Sequence, residues 1–308
     1  MKQLDFIIIG AQKSATTSLF KYLIEHPDIH MPRDKEAPFF SHEKLYSNGW
    51  KKFTQQYFKN APENKLWGTA TPQYMGDPRA AQRIAKQNPN TRLIAILRNP
   101  IERTYSHYTM SVRREIETRN FDETVHHLLK DEHLEQYRNE TPPEHENGYT
   151  KSSTKDNNFY CVWSEYGRIL SQYRTFFPAE QMLVLYMDEL MNEPQKSINK
   201  VIHFLGFKNS FTPDNLGKKY HQGGNKVLIP NAWKESIKQN FIFRLIWARI
   251  PSETRGNINY WYEQMNIRKN KEVQGPSKTA RQLLMNHFSS DIKQLENLTK
   301  SCVPWSEF

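Results

Sequence analysis

Cysteine is nearly absent. Two residues, Cys161 and Cys302, cannot build a disulfide framework, and no Cys/His cluster has metal-ligand spacing; reduced thiols and no bound metal are expected. Long hydrophobic runs are missing too. None reaches the length of a membrane span, and the apolar stretch from Phe241 to Ile250 is short and carries Arg244 and Arg249. No secretory signal stands before the first strand, which begins almost at Met1, so a soluble, cytoplasmic chain of bacterial style is expected. There is no internal repeat. There is also no basic run interleaved with aromatics and no nucleic-acid module, which argues against a nucleic-acid partner. Acid is in deficit: 33 Asp and Glu stand against 43 Lys and Arg, giving a net charge of +10 and a pI near 9.4. That balance suits a polyanionic ligand.

The densest chemistry is at the start. Leu4 to Ile9 is a short Ile-rich run with the character of a buried strand. Gly10-Ala11-Gln12-Lys13-Ser14-Ala15-Thr16-Thr17-Ser18 follows, and Leu19 to Ile24 has helical spacing that Pro27 brings to an end near His26. One lysine and four hydroxyls therefore lie between a strand and a helix N-terminus. Free amides and the positive end of the helix dipole make such a place anion-binding. A nucleotide phosphate loop of the kinase or GTPase type requires G-x-x-x-x-G-K-[ST]. Here Lys13 comes three residues after Gly10, no second glycine precedes it, and Ala15 follows. An ordinary hydroxyl-capped turn is the bland alternative.

A second constellation follows another buried strand, Arg92 to Leu97. Arg98-Asn99-Pro100 puts a guanidinium at the strand's C-terminal end and a proline at the opening of a helix. Ser106 lies about two turns into that helix, on the side of Arg103 and Thr109. A guanidinium fork with a hydroxyl suits a phosphate dianion.

The two constellations resemble those of sulfotransferases that use 3′-phosphoadenosine 5′-phosphosulfate (PAPS). Gly10, Lys13, Ser14, Thr16 and Thr17 match G-x-x-K-[ST]-G-T-[ST], with Ala15 in place of the family's glycine; Arg98, Pro100, Arg103, Ser106 and Tyr108 match R-x-P-x-x-R-x-x-S-x-Y. The resemblance implies that Lys13, Ser14, Ala15, Thr16, Thr17 and Ser18 hold the 5′-phosphosulfate and that Arg98 and Ser106 hold the 3′-phosphate. It further implies that Lys13 stabilises the leaving phosphate. Lys35-Glu36-Ala37-Pro38-Phe39-Phe40 is similar to the setting of the general base in the glycan-type branch, which assigns that role to Glu36, with His42 next in line. A solvated Glu36 paired with Lys35 is the bland alternative. Thr71, Pro72 and Tyr74 match the family's E-K-[ST]-P-x-Y segment, but Thr69 and Ala70 replace the charged pair of the heparan-type members. A late glycine-containing loop with Gly224, Asn225 and Lys226 is the loosest match, to a loop that closes on the cofactor.

Strands and helices alternate along the chain, which predicts an α/β fold, a P-loop-like parallel sheet with helices on both faces, in a single domain over residues 1–308. Residues 115–160 carry one amphipathic helix, on Phe121, Val125, Leu128 and Leu129, and then a long polar loop over 141–158 that reads equally as a lid and as a surface excursion. Pro230 to Arg249 and Ser289 to Trp305 read as further helices. The implied activity is sulfuryl transfer from PAPS to a hydroxyl, without metal, most simply of a saccharide. A small-molecule, lipid or polyketide hydroxyl, an ATP-dependent kinase and a basic polyanion-binding protein stay as alternatives. Oligomeric state is not readable.

Overall fold

The computed structural model describes residues 1–144, 154–218, 220 and 275–308, together with the backbone of 226–227 and 267–268. Its centre is a five-stranded, wholly parallel sheet: β1 (Phe6–Gly10), β2 (Ile29–His30), β3 (Leu66–Ala70), β4 (Arg92–Leu97) and β5 (Met182–Tyr186), in the order β2-β3-β1-β4-β5. Strand β1 lies in the middle and all five of its residues are buried, which is why it reads as a continuous apolar run and not as an alternating one. Successive side chains go to opposite faces. Ile7 and Ile9 join one core with Leu93, Ala95 and Leu97; Phe6 and Ile8 join the other with Ile94 and Ile96. Full burial of each of these isoleucines contributes about 1.5–3 kcal/mol.

Helices cover both faces. On one side lie α1 (Thr16–Leu23) and α10 (Pro194–Phe204). On the other are α3 (Trp50–Tyr57), α4 (Ala80–Gln87), α5 (Pro100–Arg113), α6 (Phe121–Leu128), α8 (Tyr166–Arg174) and a long C-terminal helix, α11 (Lys278–Thr299). Smaller pieces are α2 (Glu43–Ser47), α7 (Asp131–Asn139) and α9 (Met187–Asn192). Helices α8 and α11 touch at Gly167, where a Cβ would fall 2.2 Å from the Asp291 carbonyl oxygen, so this contact excludes any larger residue. Lys226–Val227 forms a separate antiparallel pair with Ile267–Arg268.

Three elements depart from the expectation. Strand β2 has two residues, too few for a periodic signal, and exists through its register with Leu66 and Trp67. Helix α11 starts eleven residues before Ser289, capped by the Ser277 hydroxyl, which accepts from the Ala280 amide at 3.0 Å. Helix α7 lies in a polar stretch where only Leu134 and Tyr137 turn inward. Residues 145–153, the centre of the expected lid, and the expected helix over Pro230–Arg249 lie outside the described residues. Among the described residues no helix is long and apolar enough to cross a membrane.

The chain leaves β1 toward β3 and β2, and then returns to the other side for β4 and β5. The loops leaving β1 and β4 therefore diverge and open a crevice at the strands' C-terminal ends, where parallel α/β sheets bind ligands.

Candidate active site

The first wall of the crevice is the loop from Ala11 to Ala15. Its start is fixed to the sheet: the Ala11 amide donates to the Ile96 carbonyl at 2.8 Å. Gly10 allows the tight exit from β1, since a Cβ there would lie 2.6 Å from Met75 Cβ. Lys13 and Ala15 both adopt left-handed backbone, with φ of 74° and 63°. Ala15 thus holds, at a steric cost, the conformation glycine takes freely. Helix α1 has no side-chain cap and no acidic residue in its first turn. Its opening amides and the positive dipole end are left for an anion. Thr16 is buried and Thr17 partly exposed at this end. Ser14 and Ser18 turn inward, and their amides donate back to the Ala11 and Ala15 carbonyls at 3.2 and 3.0 Å. Of the hydroxyls the sequence offered, Thr16 accepts from Lys35 Nζ at 3.3 Å, and Ser14 Oγ is buried without a hydrogen-bond partner among the described residues.

Helix α5 forms the second wall. Arg98 reaches across the crevice, where Nη1 donates to the Lys13 carbonyl at 3.5 Å, and its Nη2 lies 3.8 Å from Glu102. Its own carbonyl accepts from the Tyr166 hydroxyl at 2.8 Å. Ser106 is partly exposed, as are Glu102 and Thr109. Arg103 is not on that side. It is fully buried, its Nη2 pairs with His107 Nδ1 at 2.7 Å, and its Nε and Nη1 have no hydrogen-bond partner among the described residues. The 60° separation of helical positions three apart suffices to send Arg103 into the core and Ser106 toward the surface.

The third wall carries Glu36. It is not a solvated carboxylate. Gln73 Nε2 donates to Oε2 at 2.9 Å and Lys35 Nζ donates to Oε1 at 3.3 Å. The backbone beneath is pinned, because the Ala37 amide donates to Thr71 Oγ1 at 3.0 Å and the Tyr74 hydroxyl donates to the Ala37 carbonyl. Phe39 and Phe40, both buried, anchor the loop in an edge-to-face pair at 5.1 Å. Glu36 opens on a small cleft of about 50 Å³ shared with Gln12, His42, Gln73, Arg114 and Trp163. That volume holds a few waters, the room that a hydroxyl and the carbon bearing it need. His42 lines the cleft as well, but its Nδ1 accepts from the Leu45 amide at 3.4 Å as the cap of α2, so that nitrogen is already engaged. Pro142, Pro143 and Glu144 close the cleft's outer edge, with Glu144 3.4 Å from His42 and 3.4 Å from Arg79.

Electrostatics converge on Lys13. Burial, and then Arg113, Arg114, Arg98 and Arg103, hold its amine down at about 7. This cluster of like charge in a partly dry crevice awaits a polyanion. Arg113 and Arg114 were not singled out from the sequence, although a basic pair two turns beyond Ser106 was a readable signal. Gln12 and Gln73 carry none, and Lys35 reads only as a partner of Glu36. Gly224 and Asn225 lie outside the described residues, and Lys226 is placed only by its backbone pairing with Arg268. Among the described residues no group of three or more His, Cys, Asp or Glu could hold a metal ion.

Residues 3–274 match the family model described as Sulfotransferase domain. Over 111 residues the chain is 37% identical to the membrane-associated sulfotransferase kil1 of Dictyostelium discoideum, an alignment that covers 35% of this chain and 23% of that protein. Over 211 residues it is 25% identical to the heparan sulfate glucosamine 3-O-sulfotransferase 3B1 of Homo sapiens, covering 67% of this chain and 47% of that one. These alignments span less than half the length of the curated relatives. A solved sulfotransferase from Alicyclobacillus acidocaldarius shares the fold, with a TM-score of 0.65 and 22% identity over 98% of each chain.

Proposed function

The chain belongs to the sulfotransferase domain family, and from that premise we propose that it moves the sulfuryl group of PAPS, the family's general donor, to a hydroxyl, most simply of a saccharide. The observation that carries this reading is the crevice itself: an uncapped helix N-terminus with Lys13 on one wall, Arg98 bonded across to that wall, and a held carboxylate, Glu36, on the third. The parts fit the donor. The α1 amides, Thr16 and Thr17 receive a 5′-phosphate, and Arg98 with Ser106 receives the 3′-phosphate that separates this nucleotide from ATP.

Sulfuryl transfer resembles phosphoryl transfer in being in-line and loose, with negative charge growing on the leaving oxygen. Lys13 supplies positive charge at that oxygen, from a position fixed before reaction. Glu36 takes the acceptor's proton. Gln73 and Lys35 hold its two oxygens, so the carboxylate meets the cleft in one orientation. A saccharide acceptor is supported by the polar groups of Gln12, Gln73, His42 and Arg114 beside Glu36, in a cleft whose remaining walls include the apolar Met110, Phe159 and Trp163, and by heparan-modifying relatives that align over two thirds of this chain. Uncharged Thr69 and Ala70 set its contacts apart from those of the heparan-type pattern.

Incubation with PAPS and a panel of saccharides, phenols and long-chain alcohols, read as formation of 3′-phosphoadenosine 5′-phosphate (PAP), tests the assignment. Turnover is expected with the saccharides. Glu36→Gln is expected to lower it by about 10²–10⁴-fold while PAP still binds. Turnover confined to phenols or alcohols would move the acceptor to the small-molecule class, and full activity of Glu36→Gln would remove that residue as the base.

A further inference from the structure

The loop that carries Glu36 brings a second cation into the crevice. Lys35 Nζ lies 3.3 Å from Thr16 Oγ1 and 3.3 Å from Glu36 Oε1. One ammonium therefore touches both the anion-binding end of α1 and the carboxylate at the acceptor cleft. Its backbone is fixed by the end of β3, since the Ala70 amide donates to the Lys35 carbonyl at 3.4 Å. The side chain is mostly buried, and burial disfavours its charged form. A lysine on a surface loop ordinarily extends its head into water, and an exposed pairing with a neighbouring glutamate stabilises little. Stability alone gives no reason to turn this ammonium inward against a threonine hydroxyl. Thr69 and Ala70, beside it at the end of β3, contribute no charge of their own.

We propose that Lys35 contacts the sulfuryl group in flight. The proposal rests on the donor reading above and divides the charges of the reaction among three side chains. The bond between sulfur and the phosphate's bridging oxygen breaks, and its electron pair stays on that oxygen, next to Lys13. An acceptor lone pair forms the new sulfur–oxygen bond, and the acceptor's proton passes to Glu36. The sulfuryl oxygens, which carry negative charge throughout, lie between these two events. Lys35 Nζ touches both Thr16 and Glu36, which places its ammonium to meet those oxygens as the group passes from the phosphate end to the acceptor cleft. Because it is bound to Glu36 beforehand, it also holds the base in place until the donor arrives.

The test uses PAP formation from PAPS with water as the acceptor, alongside calorimetric binding of PAP, for wild type, Lys35→Met, Lys35→Ala and Lys35→Arg. In Lys35→Met, turnover is expected to fall by about 10²–10³-fold, as for loss of one charge-stabilising donor, with PAP affinity and thermal midpoint near wild type. Lys35→Arg should retain part of the rate, and ethylammonium added to Lys35→Ala should restore at least about tenfold, a readout of charge that a packing role would not give. Wild-type turnover in Lys35→Met, absence of ethylammonium rescue, or a rate loss matched by equal losses of PAP affinity and stability would overturn the assignment. A wild-type protein that neither binds PAP nor consumes PAPS would instead overturn the donor reading, and this inference with it.

Discussion

Two helices start in the same crevice, each just after a buried strand, and they treat their first amides in opposite ways. Helix α5 is closed. Asn99 Oδ1 accepts from the Ile101 and Glu102 amides at 3.0 and 3.3 Å, Pro100 fills the first position, and Glu102 puts an acid in the first turn. Helix α1 is open, with a left-handed alanine at its cap, no side-chain acceptor and no acid. A satisfied helix end serves as scaffold, and one left unsatisfied beside a lysine suits an anion. On the proposed reading, the ligand-facing work at α5 passes to side chains, Arg98 and Ser106, and at α1 to amides, Lys13 and threonine hydroxyls. The same strand–loop–helix arrangement thus offers two kinds of anion contact, one through helix amides, hydroxyls and a lysine, the other through a guanidinium fork suited to a phosphate dianion.

The comparison breaks most visibly at Lys13. Lys13→Met should lower PAPS turnover by about 10²–10³-fold, measured as PAP formation; a loss under threefold would remove the open end's central cation. The same residue makes binding pH-dependent. Burial and the surrounding arginines lower its amine to about 7, so at pH 8 the free protein carries it mostly neutral. A bound phosphate favours the charged form. Binding therefore takes up a proton, and PAP affinity falls as pH rises above about 7, by at most tenfold per unit. Calorimetry at pH 8 in two buffers of different ionisation enthalpy reads that proton directly, and equal heats in both buffers would contradict the mechanism.

Smaller effects separate the two caps. Asn99→Ala should cost about 1 kcal/mol of stability in urea unfolding and leave PAP affinity nearly unchanged, because that end is already satisfied from within. Ala15→Gly should do the reverse to the open end. It relieves a left-handed alanine, worth roughly 1–2 kcal/mol, and part of this is offset by the added freedom of the unfolded chain. A net gain of about 0.5–1 kcal/mol follows. A destabilised Ala15→Gly would show that the alanine methyl packs usefully where it sits.

Much of this was legible before any coordinates. The five buried residues of β1, the apolar run of β4 and the proline opening α5 announce themselves through patterns that periodicity and steric rules detect, and the residues between them are the ones that line the crevice. What escaped depends on contacts distant in sequence. The two residues of β2 form because Leu66 and Trp67 lie beside them. Arg103 and Ser106 are three apart on one helix, and only the packing of Tyr160 and Trp163 around His107, the partner of Arg103, shows which of the two is interior. Lys35 read as the ordinary partner of Glu36, since its approach to Thr16 joins positions nineteen apart. Gln73 gave no signal because an amide that orients a carboxylate has no spacing of its own.

The central claim is that one crevice reads both ends of a doubly phosphorylated nucleotide. Calorimetric titration with PAP, 5′-AMP and ATP, without metal, on wild type and Arg98→Ala tests it most directly. The account predicts that wild type prefers PAP to 5′-AMP by about 10–100-fold, the worth of a charge-assisted contact to the 3′-phosphate, and that Arg98→Ala binds the two alike. Equal affinity of wild type for PAP and 5′-AMP, or a preference that survives Arg98→Ala, would contradict it.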